Sequence, residues 1–237
     1  MTGANYTIFK YALLRGLRTP VALLTMLAIP LAVILFRGMW LTPYDEIHFG
    51  GMYTLGILMM VNAFVMARGI LTDRQEGTIV RILSGPTTNL RYLTQNLMAC
   101  MVPIMAQILI IFGLGSILYG WGLSLTLGMM LCYTMFSLAS VGLSFAWSCL
   151  FKNKEMSYSA FSVVGMLMGA LGGLIMPQDW LPTWLYRAGM LFPPHWLVRG
   201  MNTLTQYGLT GWFWLSMAAL ALFTAAFLLF GGKRRFI

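Results

Sequence analysis

Thr72-Asp73-Arg74-Gln75-Glu76-Gly77-Thr78-Ile79-Val80-Arg81-Ile82-Leu83-Ser84-Gly85-Pro86 is the longest charged passage between two very apolar ones in this sequence. Asp73 is a residue type that caps helices, and Glu76, three residues on, can reach back in a capping-box-like pairing. Ile79, Ile82 and Leu83 recur at helical spacing on one face. Gly85 and Pro86 supply a stop. The spacing predicts a short amphipathic helix from Asp73 to Ser84, about 18 Å long. It would be held against the mouth of a membrane domain, its polar side in water, where a partner can push on it.

The flanks of this stretch set the class. The chain has 237 residues, of which 59% are hydrophobic and only 9% charged. No soluble domain of this size needs that much apolar surface, so the expectation is an all-α, polytopic membrane protein. The formal net charge is +9, yet few aromatics interleave with basic residues in any exposed run, so nucleic acid is not the expected partner. Cys100, Cys132 and Cys149 all fall inside apolar stretches, which predicts buried free thiols. The first apolar run starts at Val21 and is followed by Arg37 without a small-residue cleavage pattern, so no cleavable signal peptide is expected.

Six spanning helices are predicted, near Pro20–Trp40, Gly50–Leu71, Leu93–Tyr119, Ser124–Leu150, Ser157–Met176 and Trp212–Phe230. Each is close to the ~20 residues that a ~30 Å hydrocarbon core requires. Pro30 is expected to bend the first, and Gly120–Gly122 to join the third and fourth tightly. Ahead of them, Tyr6–Arg18 places Tyr6, Phe9, Leu13 and Leu17 on one helical face, with Arg15 and Arg18 opposite and Lys10 snorkelling from the apolar edge. It reads either as a helix lying in the interface plane or as a cytoplasmic extension of the first span.

Basic residues orient the helices. With the N-terminus inside, Lys10, Arg15, Arg18, Arg68, Arg74, Arg81, Arg91, Lys152, Lys154, Lys233, Arg234 and Arg235 are cytoplasmic, and only Arg37, Arg187 and Arg199 lie outside. Both termini are therefore expected in the cytoplasm, and so is the 72–86 stretch. Outside, Pro177–Gly211 is too polar to span and too apolar for a free loop. Pro182 suits a first helical turn, and Leu181, Trp184, Leu185 and Ala188 share a face. The expectation is short helices dipping into the outer leaflet, anchored by Trp180, Trp184 and Trp196; a surface-lying loop is the alternative.

Two stripes of small residues predict close helix packing in lipid: Ser137, Ser140, Ser144 and Ser148 on the fourth helix, and Gly165, Gly169 and Gly173 on the fifth. Asn62 and Gln107 are polar at membrane depth, with Asn96 nearer the cytoplasmic end. Each reads as an interhelical hydrogen bond or as a contact on a substrate path. Among 20 methionines, Met59, Met60, Met66, Met166 and Met168 are placed to contribute a soft, apolar surface.

The chemistry of a membrane enzyme is missing. His48 and His195 stand outside any His-Glu-x-x-His arrangement, and no Gly-x-Ser-x-Gly elbow occurs. Asp45, Glu46, Asp73, Glu76, Glu155 and Asp179 all lie at or beyond helix ends, where none can relay protons through the membrane. Gly232-Lys233 lacks the earlier glycine of a phosphate loop. No catalytic residue and no metal site is expected.

The opening stretch resembles the cytoplasmic motif of the type 2 exporter permeases of ATP-binding-cassette (ABC) transporters, and the chain is identified as a drug- or antibiotic-exporter-like member. The match runs through Gln75-Glu76-Gly77-Thr78, has Ile82 for the usual leucine and ends at Pro86; Arg74 and Gln75 stand for a more basic pair, a mild departure. Leu181-Pro182-x-Trp184-Leu185 and Pro193-Pro194-x-Trp196 look like that family's extracellular segment before its last helix. The resemblance covers nearly the whole chain.

It implies one transmembrane permease domain, 1–237, with an interfacial helix (6–19), a coupling segment (72–86) and an extracellular re-entrant segment (177–211). It implies a second permease copy, identical or related, and two separate ATPase subunits that bind ATP and Mg; the chain itself needs no cofactor. Asp73, Arg74, Gln75, Glu76, Gly77, Thr78 and Arg81 would form the coupling element, with Glu76 and Arg74 touching the ATPase. A bacterial inner membrane is the implied home. A Met-rich, sparsely charged path fits an amphipathic drug-, antibiotic- or lipid-like cargo; a lipid-linked glycan, or a membrane scaffold or sensor without transport, is the competing reading.

Overall fold

The computed structural model describes residues 9–14, 28–36, 49–84, 88–151 and 153–233, and no strand occurs among them. The helices are α1 (Ile29–Leu35), α2 (Phe49–Gln75), α3 (Thr78–Leu83), α4 (Asn89–Tyr119), α5 (Leu123–Ser148), α6 (Lys154–Gly172), α7 (Thr183–Gly189), α8 (Pro193–Tyr207) and α9 (Gly211–Lys233), with a 3-10 turn at Gln178–Trp180 between α6 and α7. Among the described residues, four helices are long and apolar enough to cross a membrane: α2, α4, α5 and α9.

Six spans were expected, so the count differs. Most of Pro20–Trp40 lies outside the described residues, and only α1 is seen of it. The expected fifth span is a helix, α6, but Ser157, Ser159, Ser162 and its glycines dilute its apolar character, and it falls short of the other four. Most of Tyr6–Arg18 also lies outside the described residues, as do Gly85, Pro86, His48, Arg37, Lys152, Arg234 and Arg235.

The centre of the bundle is α5. Of its most apolar window 72% is buried, against 22% for α9. Small residues explain this placement. A Cβ on Gly142 would lie 3.4 Å from Phe227 and 3.6 Å from the Thr224 carbonyl, so α5 and α9 cross almost backbone to backbone. Ser137, Ser140, Ser144 and Ser148 are all buried. Ser144 and Ser148 donate to the carbonyls of Ser140 and Ser144 at 2.8 Å, so their hydroxyls are satisfied within their own helix.

The α4–α5 hairpin closes where Gly120 takes a left-handed φ of 65°. Trp121 then folds back into a notch at Gly115, where a Cβ would come within 2.2 Å of its ring. On the other side, Tyr119 donates to the Ile34 carbonyl and fastens α1 to α4.

The segment before α9 is helical and packed. Along α8, Pro193, Pro194, His195, Leu197, Val198, Met201 and Leu204 are buried. Leu197 meets Gly56 of α2, Leu204 meets Gly128 of α5, and Gly200 sits against Cys132 and Met217. Trp180 and Trp184 are exposed, whereas Trp196 is half-buried and donates to the Met190 carbonyl at 2.8 Å.

The glycine stripe divides. Gly165 and Gly169 are buried on one face of α6, but Gly173 has φ +91° and ends the helix. Its neighbour Gly172 makes the close approach instead, 2.5 Å from Pro194 for a notional Cβ. Replacing Gly115 by alanine forces a methyl into the Trp121 ring and costs about 1–3 kcal/mol of stability. A Gly115→Ala protein in detergent is therefore expected to unfold several degrees below the parent, measured by thermal denaturation, while Gly113→Ala, which meets nothing within 4 Å, stays within a degree or two.

Candidate functional site

The polar stretch after Leu71 does not begin a new helix. α2 continues to Gln75, so Asp73 lies in its last turn and is not a cap. The Glu76 amide still donates to the Thr72 carbonyl, at 3.0 Å, and the chain reverses at Gly77, whose φ of 68° suits only glycine comfortably. The short helix after it is α3, six residues in place of the expected Asp73–Ser84.

Side-chain bonds explain why α2 carries its charges past the apolar run. The buried carboxylate of Asp73 accepts from the Tyr92 hydroxyl of α4 at 2.6 Å. The Arg74 guanidinium donates to the carbonyls of Cys149 and Phe151, each at 3.1 Å, in the connection between α5 and α6. A cation in the last turn also suits the negative end of the α2 dipole. Two adjacent residues thus tie the end of α2 to α4 and to the α5–α6 connection. The Arg74 guanidinium is thus turned toward its own chain.

Gln75, Glu76 and Arg81 are exposed, and Thr78 is half-buried. Ile79 is buried in the core and Ile82 packs against it, so α3 lies on the bundle by its apolar face. The side chain of Leu83 lies outside the described ones.

Three of the polar residues inside the bundle, Asn62, Asn96 and Gln107, have local partners. Asn62 of α2 donates to the Gln107 side-chain carbonyl of α4 at 3.4 Å, with both residues buried. Asn96 donates to the Tyr92 carbonyl of its own helix at 2.9 Å. Met59 and Met66 are buried in the core.

A cavity of about 450 Å³ separates α2 from α6, lined on one side by Met60, Phe64 and Arg68 and on the other by Tyr158, Phe161 and Met166. Gly165 and Gly169 form its floor; a Cβ on them would press on Met60 at 3.3 Å and on Ile175 at 3.2 Å. Phe64 stacks on Phe161 with centroids 3.8 Å apart and meets Tyr158 edge-on at 5.5 Å. Arg68 lies over the Tyr158 ring at 4.6 Å. Of the methionines singled out from sequence, Met60 and Met166 line the space. Phe64, Arg68, Tyr158, Phe161 and Ser162 were missed: Arg68 read only as a topology charge, and aromatic spacing on two different helices gives no signal that the rings will meet.

At the far end of α6, His195 is fully buried. Gln178 donates to the Gly172 carbonyl at 3.0 Å and faces His195 Nδ1 at 3.2 Å, which assigns Nδ1 as acceptor and the ring as neutral. Tyr186 and Trp196 cover the ring edge-on. Burial, and secondarily Arg199, lowers its pKa to about 4.

Two predictions follow from these contacts. A Tyr92→Phe, Asp73→Asn double-mutant cycle is expected to give a coupling energy of about 1–3 kcal/mol in thermal or chemical unfolding. For His195, the unfolded chain takes up a proton near the ordinary pKa of ~6.5 while the fold resists until about 4. Stability is therefore full above about pH 6.5 and falls as pH drops toward 4. Unfolding midpoints of His195→Gln, measured from pH 7.5 to 4.5, should lose that part of the slope.

Comparison with known proteins reaches the same part of the chain. A family model described as "ABC-2 family transporter protein" matches residues 44–233, from before α2 to the last residue of α9. No curated protein matches the chain.

Proposed function

The chain belongs to the ABC-2 family of transporter proteins, and on that premise we propose that it is the permease subunit of an ATP-driven exporter. Membership makes it a multi-pass membrane transporter component that is not itself catalytic and that works with an ABC ATPase. On our reading two such ATPase subunits, which hold the ATP and Mg, dock on the cytoplasmic side of two permease copies. Residues 1–237 act as one domain in a bacterial inner membrane with both termini inside; α1 and α6 complete six spans, and the 177–211 segment dips into the outer leaflet.

One observation carries this reading: the division of direction at the end of α2. Asp73, Arg74 and Ile79 are bound inward, while Gln75, Glu76 and Arg81 are exposed beside them. A force applied to the exposed side reaches α2 through the Gly77 turn. It reaches α4 through Tyr92, and the α5–α6 connection through Arg74. ATP-driven closure of the ATPase pair would shift α3 and its three attachments together and change access to the cavity between α2 and α6. That cavity's apolar walls support an amphipathic drug-, antibiotic- or lipid-like cargo, with Met166 on its path; Met59, Met66, Asn62 and Gln107 shape the bundle behind it.

Glu76→Ala removes an exposed side chain and is expected to change stability by no more than about 0.5 kcal/mol, yet to lower ATP-driven transport by the reconstituted complex at least about tenfold. Gly77→Val strains a left-handed turn and should do the same. Transport and ATPase rates of the assembled complex decide the matter: unchanged transport in both variants would sink the coupling assignment.

A further inference from the structure

The cavity between α2 and α6 is not uniformly apolar, and its polarity is confined to one end. α2 and α6 run antiparallel along it, so Ile57 and Ile175 mark one end and Arg68 and Tyr158 the other. From Ile57 to Arg68 the axis rises about 16 Å. The long part is walled by Ile57, Met60, Val61, Phe64, Val65 and Met166. The short part holds Arg68, Tyr158 and Ser162. Among the described lining residues Arg68 is the sole charged one, and none of them is a carboxylate.

From this we infer that the cavity binds an anionic amphiphile, its chain lying between α2 and α6 and its phosphate, sulfate or carboxylate head on Arg68. The inference rests on the exporter reading only in naming the cargo class of the same site; the binding itself needs no ATPase.

The chemistry selects the sign of the head group. A cationic head beside Arg68 would meet like charge, with no carboxylate among the described lining residues to offset it. An anionic head meets a guanidinium that is always charged and presents its N–H groups in a planar fork, the geometry that phosphate and carboxylate match with two bonds. The Tyr158 ring under the guanidinium, 4.6 Å away, holds it at the mouth without consuming its donors. Ser162 spends its hydrogen on the Tyr158 carbonyl at 2.9 Å, so the donors for a head group come from Arg68. The size agrees: a cavity of about 450 Å³ falls within the ~300–1,000 Å³ of sites for drug-sized ligands. The missing Cβ atoms at Gly165 and Gly169 keep it open, since each would crowd a facing side chain.

The experiment compares two probes with one tail and opposite heads, dodecyl phosphate and dodecyltrimethylammonium. They are titrated onto the purified full-length chain in nonionic detergent, with bound adducts read by native mass spectrometry. The expected result is binding of dodecyl phosphate about tenfold tighter than that of the ammonium, in line with one charge-assisted interaction. Arg68→Gln should remove the preference, and Arg68→Lys should keep part of it. Tyr158→Phe, which retains the ring, should keep it too. Val61→Trp, a half-exposed wall position, should weaken both probes by filling the space for the tail. Equal binding of the two probes by the parent, or a phosphate preference that survives in Arg68→Gln, overturns the inference. Added phosphatidylglycerol separates the two sources of such a ligand. Displacement of dodecyl phosphate by it assigns the site to a leaflet lipid, and lack of displacement assigns it to a dissolved amphiphile; the anion site stands in both cases. Because no transport is measured, a failed coupling test at Glu76 leaves this result intact, and a failed binding test leaves the coupling assignment intact.

Discussion

Hydrocarbon offers no hydrogen bonds, and this constraint governs how the bundle places its polar residues. Helices satisfy their own backbones. Ser144 and Ser148 of α5 then turn their hydroxyls onto carbonyls four residues back, which lets α5 carry serines and still be the most enclosed of the four spanning-length helices. Asn62 and Gln107 answer the same demand by pairing across α2 and α4. Glycines appear where backbones must nearly touch, at Gly142 against α9 and at Gly172 against α8.

Where helices leave this environment the rule relaxes, and charges collect. The end of α2 is the clearest case. Asp73 and Arg74 are consecutive and oppositely charged, yet they do not pair with each other. One accepts from Tyr92; the other donates to Cys149 and Phe151. Successive residues on a helix point about 100° apart, so adjacent charges reach different neighbours. That geometry turns two residues of sequence into a joint between three parts of the fold.

Much of the architecture was legible. Long apolar runs placed α2, α4, α5 and α9 to within a few residues at most ends, because length and apolarity are properties of a single segment. The small-residue stripe of α5 was legible for the same reason. Two features were not. Asp73 followed by Glu76 reads locally as a cap, and only Tyr92, 19 residues on, and the carbonyls of Cys149 and Phe151 decide that α2 continues instead. The cavity was harder still. Phe64 and Phe161 are nearly 100 positions apart, and nothing in either helix alone says that their rings stack. Gly173 shows the converse: a regular four-residue spacing continued past the point where the left-handed turn ends the helix.

The two candidate regions share a rigid element. Arg68 and Asp73 lie on α2, five residues and about 7.5 Å of axial rise apart. Arg68 borders the cavity with α6, and Asp73 and Arg74 anchor the turn that precedes α3. α6 enters the same assembly from its other side, because the connection that Arg74 holds leads directly into it. On the proposed reading, a displacement of the turn acts on both walls of the cavity at once, on α2 by continuity of the helix and on α6 through the carbonyl of Phe151. Between those walls Phe64 stacks on Phe161 and meets Tyr158 edge-on, contacts without a hydrogen bond. Such contacts slide or part at a cost of about 0.5–1.5 kcal/mol per pair beyond their buried area. On the proposed exporter reading, that is a small barrier beside the work available from an ATPase. On that same reading the hydrogen-bonded connections run to the turn at the end of α2 and the ring contacts lie across the cavity, the order of stiffness that access control at α2 and α6 requires.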